Sequence, residues 1–236
     1  MKLNIVQGTT AAYPGADINI VIDVIRAFTV SHIAFMRGAR EIFLVNTLEE
    51  AFALKKQHPG HLLAGEIDAL PIAGFDLDNS PHTFSTANLI DKSLVQKTTN
   101  GVKATLLALS GPIAATVLVT GFSNARKTAR HAKKLASGMS NCRINIIASH
   151  PEDDDDLACA QYIQDQLLGR NSLACETIQH RIKTARSAQK FLDPAQPEFN
   201  EKDIAFCLRE VECNFVMRVD NGARPPRIVK QIDDAL

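Results

Sequence analysis

The segment that most constrains this chain is Ile18-Asn19-Ile20-Val21-Ile22-Asp23, an apolar, β-branched run that ends on a carboxylate. Such a run reads as a buried strand. About Ala27 to Arg37 it is followed by a helix-like stretch, with Gly38 placed to cap it. The alternation then repeats. Glu41 to Val45 is strand-like, Thr47-Leu48-Glu49-Glu50 has the form of a capping box, and Ala51 to Lys56 continues a helix. His61 to Gly65 is a third apolar run, and Pro71 to Pro81 is a loop rich in Pro, Gly, Asp and Asn. Thr98 to Gly101 is a polar turn that opens an Ala/Leu-rich helix. Ala114 to Val119 and Ile144 to Ala148 are strand-like, and Asn124 to Ala136 is helical and basic. Asp153 to Leu168 reads as a helix with four acids in its first turn, where the helix dipole favours negative charge. This spacing argues for an α/β protein with a largely parallel sheet. The tail is less patterned: Phe206 to Arg218 fits helix or strand, and Pro225-Pro226 stops any regular element. We expect residues 1–236 to form one α/β domain, with a weak boundary between two lobes near Ser137 to Asn141.

Charge and cysteine content narrow the function classes. The 236 residues carry 26 Lys and Arg against 26 Asp and Glu. Zero net charge argues against a nucleic-acid or anionic-membrane partner. No apolar run approaches the ~20 residues that span a bilayer. The first residues, Met1 to Gln7, lack an apolar signal core. Cys142, Cys159, Cys175, Cys207 and Cys213 are odd in number, widely spaced and without a CxxC. That fits reduced thiols and a cytoplasmic location. A homodimer is the base-rate expectation for such a chain.

Ligands of open α/β sheets sit at the carboxyl ends of strands. Asp23 stands at such an end, with Arg26 three residues on. A carboxylate there can hold Mg²⁺, and a guanidinium beside it can clamp a phosphate. Taken alone, the pair reads more readily as a strand-end cap. Glu66, directly after an apolar run, is a second candidate oxygen ligand. The loop Gly74-Phe75-Asp76-Leu77-Asp78-Asn79-Ser80-Pro81 offers Asp76, Asp78, Asn79 and Ser80 within five residues, and is also a plain turn. Thr98-Thr99-Asn100-Gly101 can seat an anion at a helix N-terminus or simply cap it. Gly121-Phe122-Ser123-Asn124 repeats that logic after the next strand. The run Glu152-Asp153-Asp154-Asp155-Asp156 is mostly a solvated helix start, with one or two acids, Asp155 first, free to complete a metal site or orient a water. The seven histidines show no metalloprotease spacing; His82 and His150 lie near candidate loops and read as structural before they read as proton carriers. Arg126, Lys127, Arg130, Lys133 and Lys134 form a solvated basic helix face.

In this order the segments resemble the ComB family, the Mg²⁺-dependent 2-phosphosulfolactate phosphatases. The resemblance rests on Val21-Ile22-Asp23-Val24-Ile25-Arg26-Ala27, Gly65-Glu66, the Gly74 to Pro81 loop and Thr98-Thr99-Asn100-Gly101, with weaker echoes at Phe122 to Ala125 and Asp154 to Ala158. It implies a three-layer α/β/α fold with a largely parallel or mixed sheet, a bound Mg²⁺, and hydrolysis of the phosphate ester of a small sulfonated hydroxy acid. In methanogens that step belongs to coenzyme M synthesis. The implied metal ligands are Asp23 and Glu66, then Asp76. Arg26 and the Thr98 to Gly101 turn would hold phosphoryl oxygens, helped by Asn79, Ser80 and Asn124. Three positions depart from the family pattern: Asp78 stands where it has Gly, Val102 where it has Thr, and Ile67 where it has Arg. Ile67 removes a cation from beside the expected anion site. The expected partner is therefore a small phosphorylated acid, 2-phosphosulfolactate or a relative; the alternatives are another phosphomonoester or non-catalytic phosphate binding.

Overall fold

The structure, a computed structural model, describes residues 1–9, 12–111, 115–170 and 173–233. In chain order its elements are β1 (Lys2–Gln7), β2 (Ile18–Ile22), α1 (Ala27–Met36), β3 (Glu41–Leu44), α2 (Leu48–Gln57), β4 (Leu62–Ile67), β5 (Leu70–Pro71), α3 (Pro81–Thr86), β6 (Ser93–Lys97), α4 (Gly101–Leu109), β7 (Thr116–Thr120), α5 (Ala125–Ser137), β8 (Arg143–Ala148), α6 (Asp154–Leu168), α7 (Cys175–Thr184), α8 (Arg186–Leu192), α9 (Glu201–Cys207), β9 (Phe215–Asp220) and β10 (Arg227–Ile232). A single turn of 3₁₀ helix, Phe122–Asn124, leads into α5.

The expected strand at Ile18 is β2, and all five of its residues are buried. Its side chains alternate between two apolar cores, as a pleated strand requires. Ile18, Ile20 and Ile22 pack with α5, α6 and α7 residues such as Ala129, Tyr162 and Ile178. Val21 joins the other core, with Phe28 and Phe35 of α1 and Val102 of α4. Helices thus cover both faces of the sheet, giving the α/β/α layering. The Thr47 capping box forms, with Glu50 reaching back to the Thr47 N–H. Asp153 caps α6, and Gly169 ends it in the left-handed region at φ 67°.

Strand order is β1-β8-β2-β7-β9-β10-β3-β6-β4-β5. β1, β8, β2 and β7 run parallel, as do β3, β6 and β4. The β9–β10 hairpin joins these blocks by antiparallel pairing to β7 and β3. The sheet is therefore mixed, and its two parallel blocks run in opposite directions. Five strand spacings separate β2 from β6, about 24 Å if the sheet were flat. Yet Gly101, four residues beyond β6, donates its N–H to Asp23, one residue beyond β2, at 2.9 Å. Because β2 and β6 run in opposite directions, a flat sheet would also put their carboxyl ends at opposite edges, beyond the ~18 Å that those few residues reach, so the sheet must curl. It curls around α1, whose Ala27 to His32, Ala34 and Phe35 are all buried. Two buried hydroxyls on this helix are paired: Thr29 donates to Val24 O (2.8 Å) and Ser31 to Ala27 O (3.0 Å).

The tail resolves the reading left open at Phe206 to Arg218. α9 ends at Cys207, β9 begins at Phe215, and Pro225-Pro226 lies between β9 and β10. α7, α8 and α9 were not foreseen. Ala114, the start of one expected strand, lies outside the described residues. Strands from both sides of residues 137–141 alternate in the sheet, since β8 inserts between β1 and β2. Among the described residues no helix is long and apolar enough to cross a membrane. All five cysteines are free thiols.

Candidate active site

Asp23 is buried at the carboxyl end of β2, at the N-termini of two helices. Its Oδ1 accepts from Ala27 N–H of α1 (2.8 Å) and its Oδ2 from Gly101 N–H of α4 (2.9 Å). Each oxygen keeps a further lone pair. The approach is tight enough to need glycine: a Cβ on residue 101 would lie 2.6 Å from Asp23 Oδ2. Burial, then the charge of Asp156, then that of Glu66 push the Asp23 carboxyl up to about 8, against two backbone donors that lower it.

Glu66 closes β4 and is also buried. Its Oε1 accepts from Thr99 N–H (2.6 Å), and its Oε2 from Thr99 Oγ1 (3.0 Å) and Ala69 N–H (2.5 Å). Gly65 allows this crossing at φ 149°, where a Cβ would meet Lys97 O at 1.9 Å. The Thr98 to Gly101 turn thereby departs from the empty anion seat expected of it. Thr99 N–H serves Glu66, Gly101 N–H serves Asp23, and Val102 N–H serves Thr98 Oγ1 (3.2 Å). The Thr99 and Gly101 N–H groups are spent on the protein's own carboxylates, and Thr98 is a cap. Asn100 and Thr99 still line the cleft.

Arg26 reaches across the cleft wall. Its guanidinium donates to Asp203 of α9 (2.8 Å) and to Ala69 O (2.9 Å), and lies 4.7 Å from the centre of the Phe191 ring. Asp203 is 1% exposed and also accepts from Ser80 Oγ (2.6 Å) and His82 N–H (3.1 Å). Ser80 is therefore a support, bonding Asp203 and capping α3. Neighbouring Asn79 does face the cleft, and its buried Oδ1 has no hydrogen-bond partner.

The acidic run is divided among structural tasks. Asp153 accepts from Asp154, Arg186 and Ser187 N–H groups, which outweigh burial and lower its pKa. Asp154 pairs with Arg181. Asp156 accepts from Val24 N–H (2.7 Å), Ser149 Oγ (2.9 Å) and His150 N–H (3.0 Å). Asp155 is buried beneath, with one oxygen unpartnered; burial and the Asp156 charge raise it well above the carboxylate range.

One cleft of about 450 Å³ collects Asp23, Arg26, Glu66, Asn79, Thr99 and Asn100. Six expected residues lie off it, among them Ser80 and Thr98, the support and the cap described above. Asp76 is held by Lys55 Nζ (3.0 Å) and Leu63 N–H (2.7 Å), tying its loop to β4, so it is not placed as a metal ligand. Asn124 bonds Thr120 and Gly121 at the head of α5 and lines a different cleft. Gly101 acts through its backbone and Asp155 through its charge. Sequence reading missed Asp203, Ser187, Lys190 and Phe191; all come from beyond residue 180, where no motif signalled a site. Asp23, Glu66 and the Asn79 amide oxygen are hard oxygen donors. Among the described residues no three His, Cys, Asp or Glu groups converge as a closed metal cage. That set suits Mg²⁺, which commonly takes one or two carboxylates and completes its shell with water and substrate phosphate.

A mixed α/β sheet that brings buried carboxylates and a guanidinium from the carboxyl ends of β2 and β4 into one cleft defines an α/β protein with a polar pocket suited to a small charged ligand. The sequence pattern of the 2-phosphosulpholactate phosphatase family matches residues 5–222, so the chain belongs to that family of phosphoric monoester hydrolases. It is 50% identical to a Bacillus subtilis protein over 232 residues, 98% of this chain and 100% of the relative. It is 35% identical to one from Caldicellulosiruptor saccharolyticus over 149 residues (62% and 60%), and 39% identical to one from Deinococcus radiodurans over 137 residues (58% and 55%). Each of these is named a probable 2-phosphosulfolactate phosphatase.

Proposed function

We propose that the protein is a cytoplasmic, Mg²⁺-dependent phosphatase that hydrolyses 2-phosphosulfolactate or a closely related 2-phospho-hydroxy acid. The observation that carries this is Asp23: a buried carboxylate between two helix N-termini, in one cleft with Glu66 and Arg26. Family membership and the relatives' names support the ester and the acid.

Asp23 and Glu66 would hold the ion, with the Asn79 oxygen beside them. When bound, Mg²⁺ supplies charge neutralisation at the phosphoryl oxygens as the ester bond breaks. Two of the five Arg26 N–H donors are spent on Asp203 and Ala69; the others orient the phosphate. Asn100 adds an amide at the same wall. His150 also lines the cleft, and its Nδ1 accepts from Glu152 N–H (3.2 Å). That leaves the Nε2–H as the ring's donor, able to hydrogen-bond an ester oxygen of the substrate.

The test is phosphate release from 2-phosphosulfolactate, 2-phospholactate and isopropyl phosphate, each with Mg²⁺ and with EDTA. Metal-dependent release is expected, reduced in Asp23→Asn by more than about a hundredfold, since loss of outer partners of a metal site alone costs 10–100-fold. Release that survives both EDTA and Asp23→Asn would remove the metal and Asp23 from the mechanism. No release from a folded, Mg²⁺-loaded protein would leave phosphate binding without turnover as the better account.

A further inference from the structure

Lys190 sits in α8, far along the chain from every motif that built the site, yet it lines the same cleft as Asp23 and Glu66. Its ammonium stands 5.1 Å from the centre of the Phe199 ring and 5.8 Å from that of Phe191. Phe191 is the ring that Arg26 also covers, at 4.7 Å. Two cations are thus gathered on one aromatic platform at the mouth of a small cleft. They differ in one respect. Arg26 has its counter-charge in Asp203 at 2.8 Å. Among the described residues no carboxylate lies within ion-pair distance of Lys190. Burial and the Arg26 charge lower its pKa, and the charges of Glu66, Asp153 and Asp68 do not restore it. A half-buried ammonium held by aromatic faces, with a like charge for neighbour, is stabilised by an anion that reaches it from the cleft.

Resting on the phosphatase reading above, the phosphate of the substrate occupies the Asp23, Glu66 and Arg26 end. We propose that Lys190 is the specificity-determining residue that binds the substrate's second acidic group, a carboxylate or sulfonate. The Phe191 and Phe199 rings hold the ammonium in place, so the cleft reads a small molecule with two anionic ends. A plain alternative is that Lys190 only packs its stem on the rings; that role would not distinguish one substrate from another.

The experiment compares wild type with Lys190→Met and Lys190→Arg on three esters: 2-phosphosulfolactate, with a carboxylate and a sulfonate beside its phosphate, 2-phospholactate, with a carboxylate alone, and isopropyl phosphate, with neither. Binding of sulfolactate, which has no phosphate, is measured alongside by calorimetry with Mg²⁺ present. Thermal melts confirm that each variant is folded. In Lys190→Met, kcat/KM for the two acidic esters is expected to fall on the order of ten- to a hundredfold, the range of a lost charge-assisted hydrogen bond, through KM and not kcat. Isopropyl phosphate hydrolysis stays unchanged, Lys190→Arg recovers most of the loss, and sulfolactate binding weakens in parallel. Equal effects on all three esters, or none on any, overturn the assignment while leaving the phosphatase reading intact. If wild type releases no phosphate but binds sulfolactate through Lys190, the phosphatase reading fails and the subsite stands. If it neither turns over nor binds, both fail.

Discussion

At the scale of single residues, the site depends on close approaches that leave no room for a methyl group. Gly101 is the first residue of α4, and within a helix alanine is ordinarily favoured over glycine, by ~1 kcal/mol in the interior. Here the sign reverses. The alanine Cβ would lie 2.6 Å from Asp23 Oδ2 and 2.9 Å from Asp23 Cβ. Gly101→Ala is therefore expected to cost about 1–3 kcal/mol, the range for overpacking, and to lower phosphate release by at least about tenfold as Asp23 is displaced. Chemical denaturation and initial rates measure the two effects. A more stable variant with full activity would contradict the geometry. Asp23, Glu66 and Asn100 were readable because each sits at a strand end or turn within a short motif. Asp203 was not, because it meets Arg26 across 177 positions of sequence, and a lone Asp in a short helix carries no local signature. That Asp76 lies off the cleft was hidden for the converse reason: a turn rich in acids looks the same whether its carboxylates face a ligand or bond Leu63 N–H.

At the scale of elements, α1 shows how a helix can be legible in position and hidden in consequence. Its span was read to within one residue, yet nothing in the sequence shows that it is enclosed on nearly every side. His32 is 1% exposed, shares a hydrogen bond with Ser123 Oγ (2.9 Å), and leaves Nε2 without a partner. Burial holds its pKa down to about 4, against 6.5 in the open chain. The unfolded chain therefore binds the extra proton first. The stability from neutral His32 is complete above pH 6.5 and is lost as pH falls from there toward 4, by about 3 kcal/mol in full. Urea midpoints taken between pH 7 and 4.5 should fall for wild type, and fall less steeply in His32→Gln. Parallel curves would mean that another group governs the acid limb. α7, α8 and α9 were missed for a different reason: α7 buries only Ile178 and Ile182, and α8 and α9, at seven residues each, make too few turns for a period to emerge.

At the scale of the whole molecule, strand and helix alternation announced the α/β layers but not how the sheet is joined. Within the sheet, the two parallel blocks are joined through β9 and β10, whose partners β7 and β3 precede them by about a hundred residues or more. Long-range antiparallel pairing leaves no mark in local periodicity, which is why Phe206 to Arg218 stayed ambiguous. Arg227 fastens this junction, donating to Glu41 of β3 (2.6 Å) and to Asp220 of β9 (3.0 Å) from its place on β10. Because the guanidinium is partly exposed, the network is worth about 1 kcal/mol. Arg227→Met should lose roughly that much, less at high salt, and keep its kinetic constants. Ending the chain before Arg227 is a different matter. It strips β10 from the middle of the sheet and leaves β3 and β9 with unpaired edges. Because Asp23 of one block is bonded to Gly101 following the other, separating the blocks must also open the site. That truncated chain is expected to melt without a cooperative transition and to release no phosphate. A truncated chain that melts sharply and stays active would show that the curl around α1, and not the hairpin, holds the two carboxyl edges together.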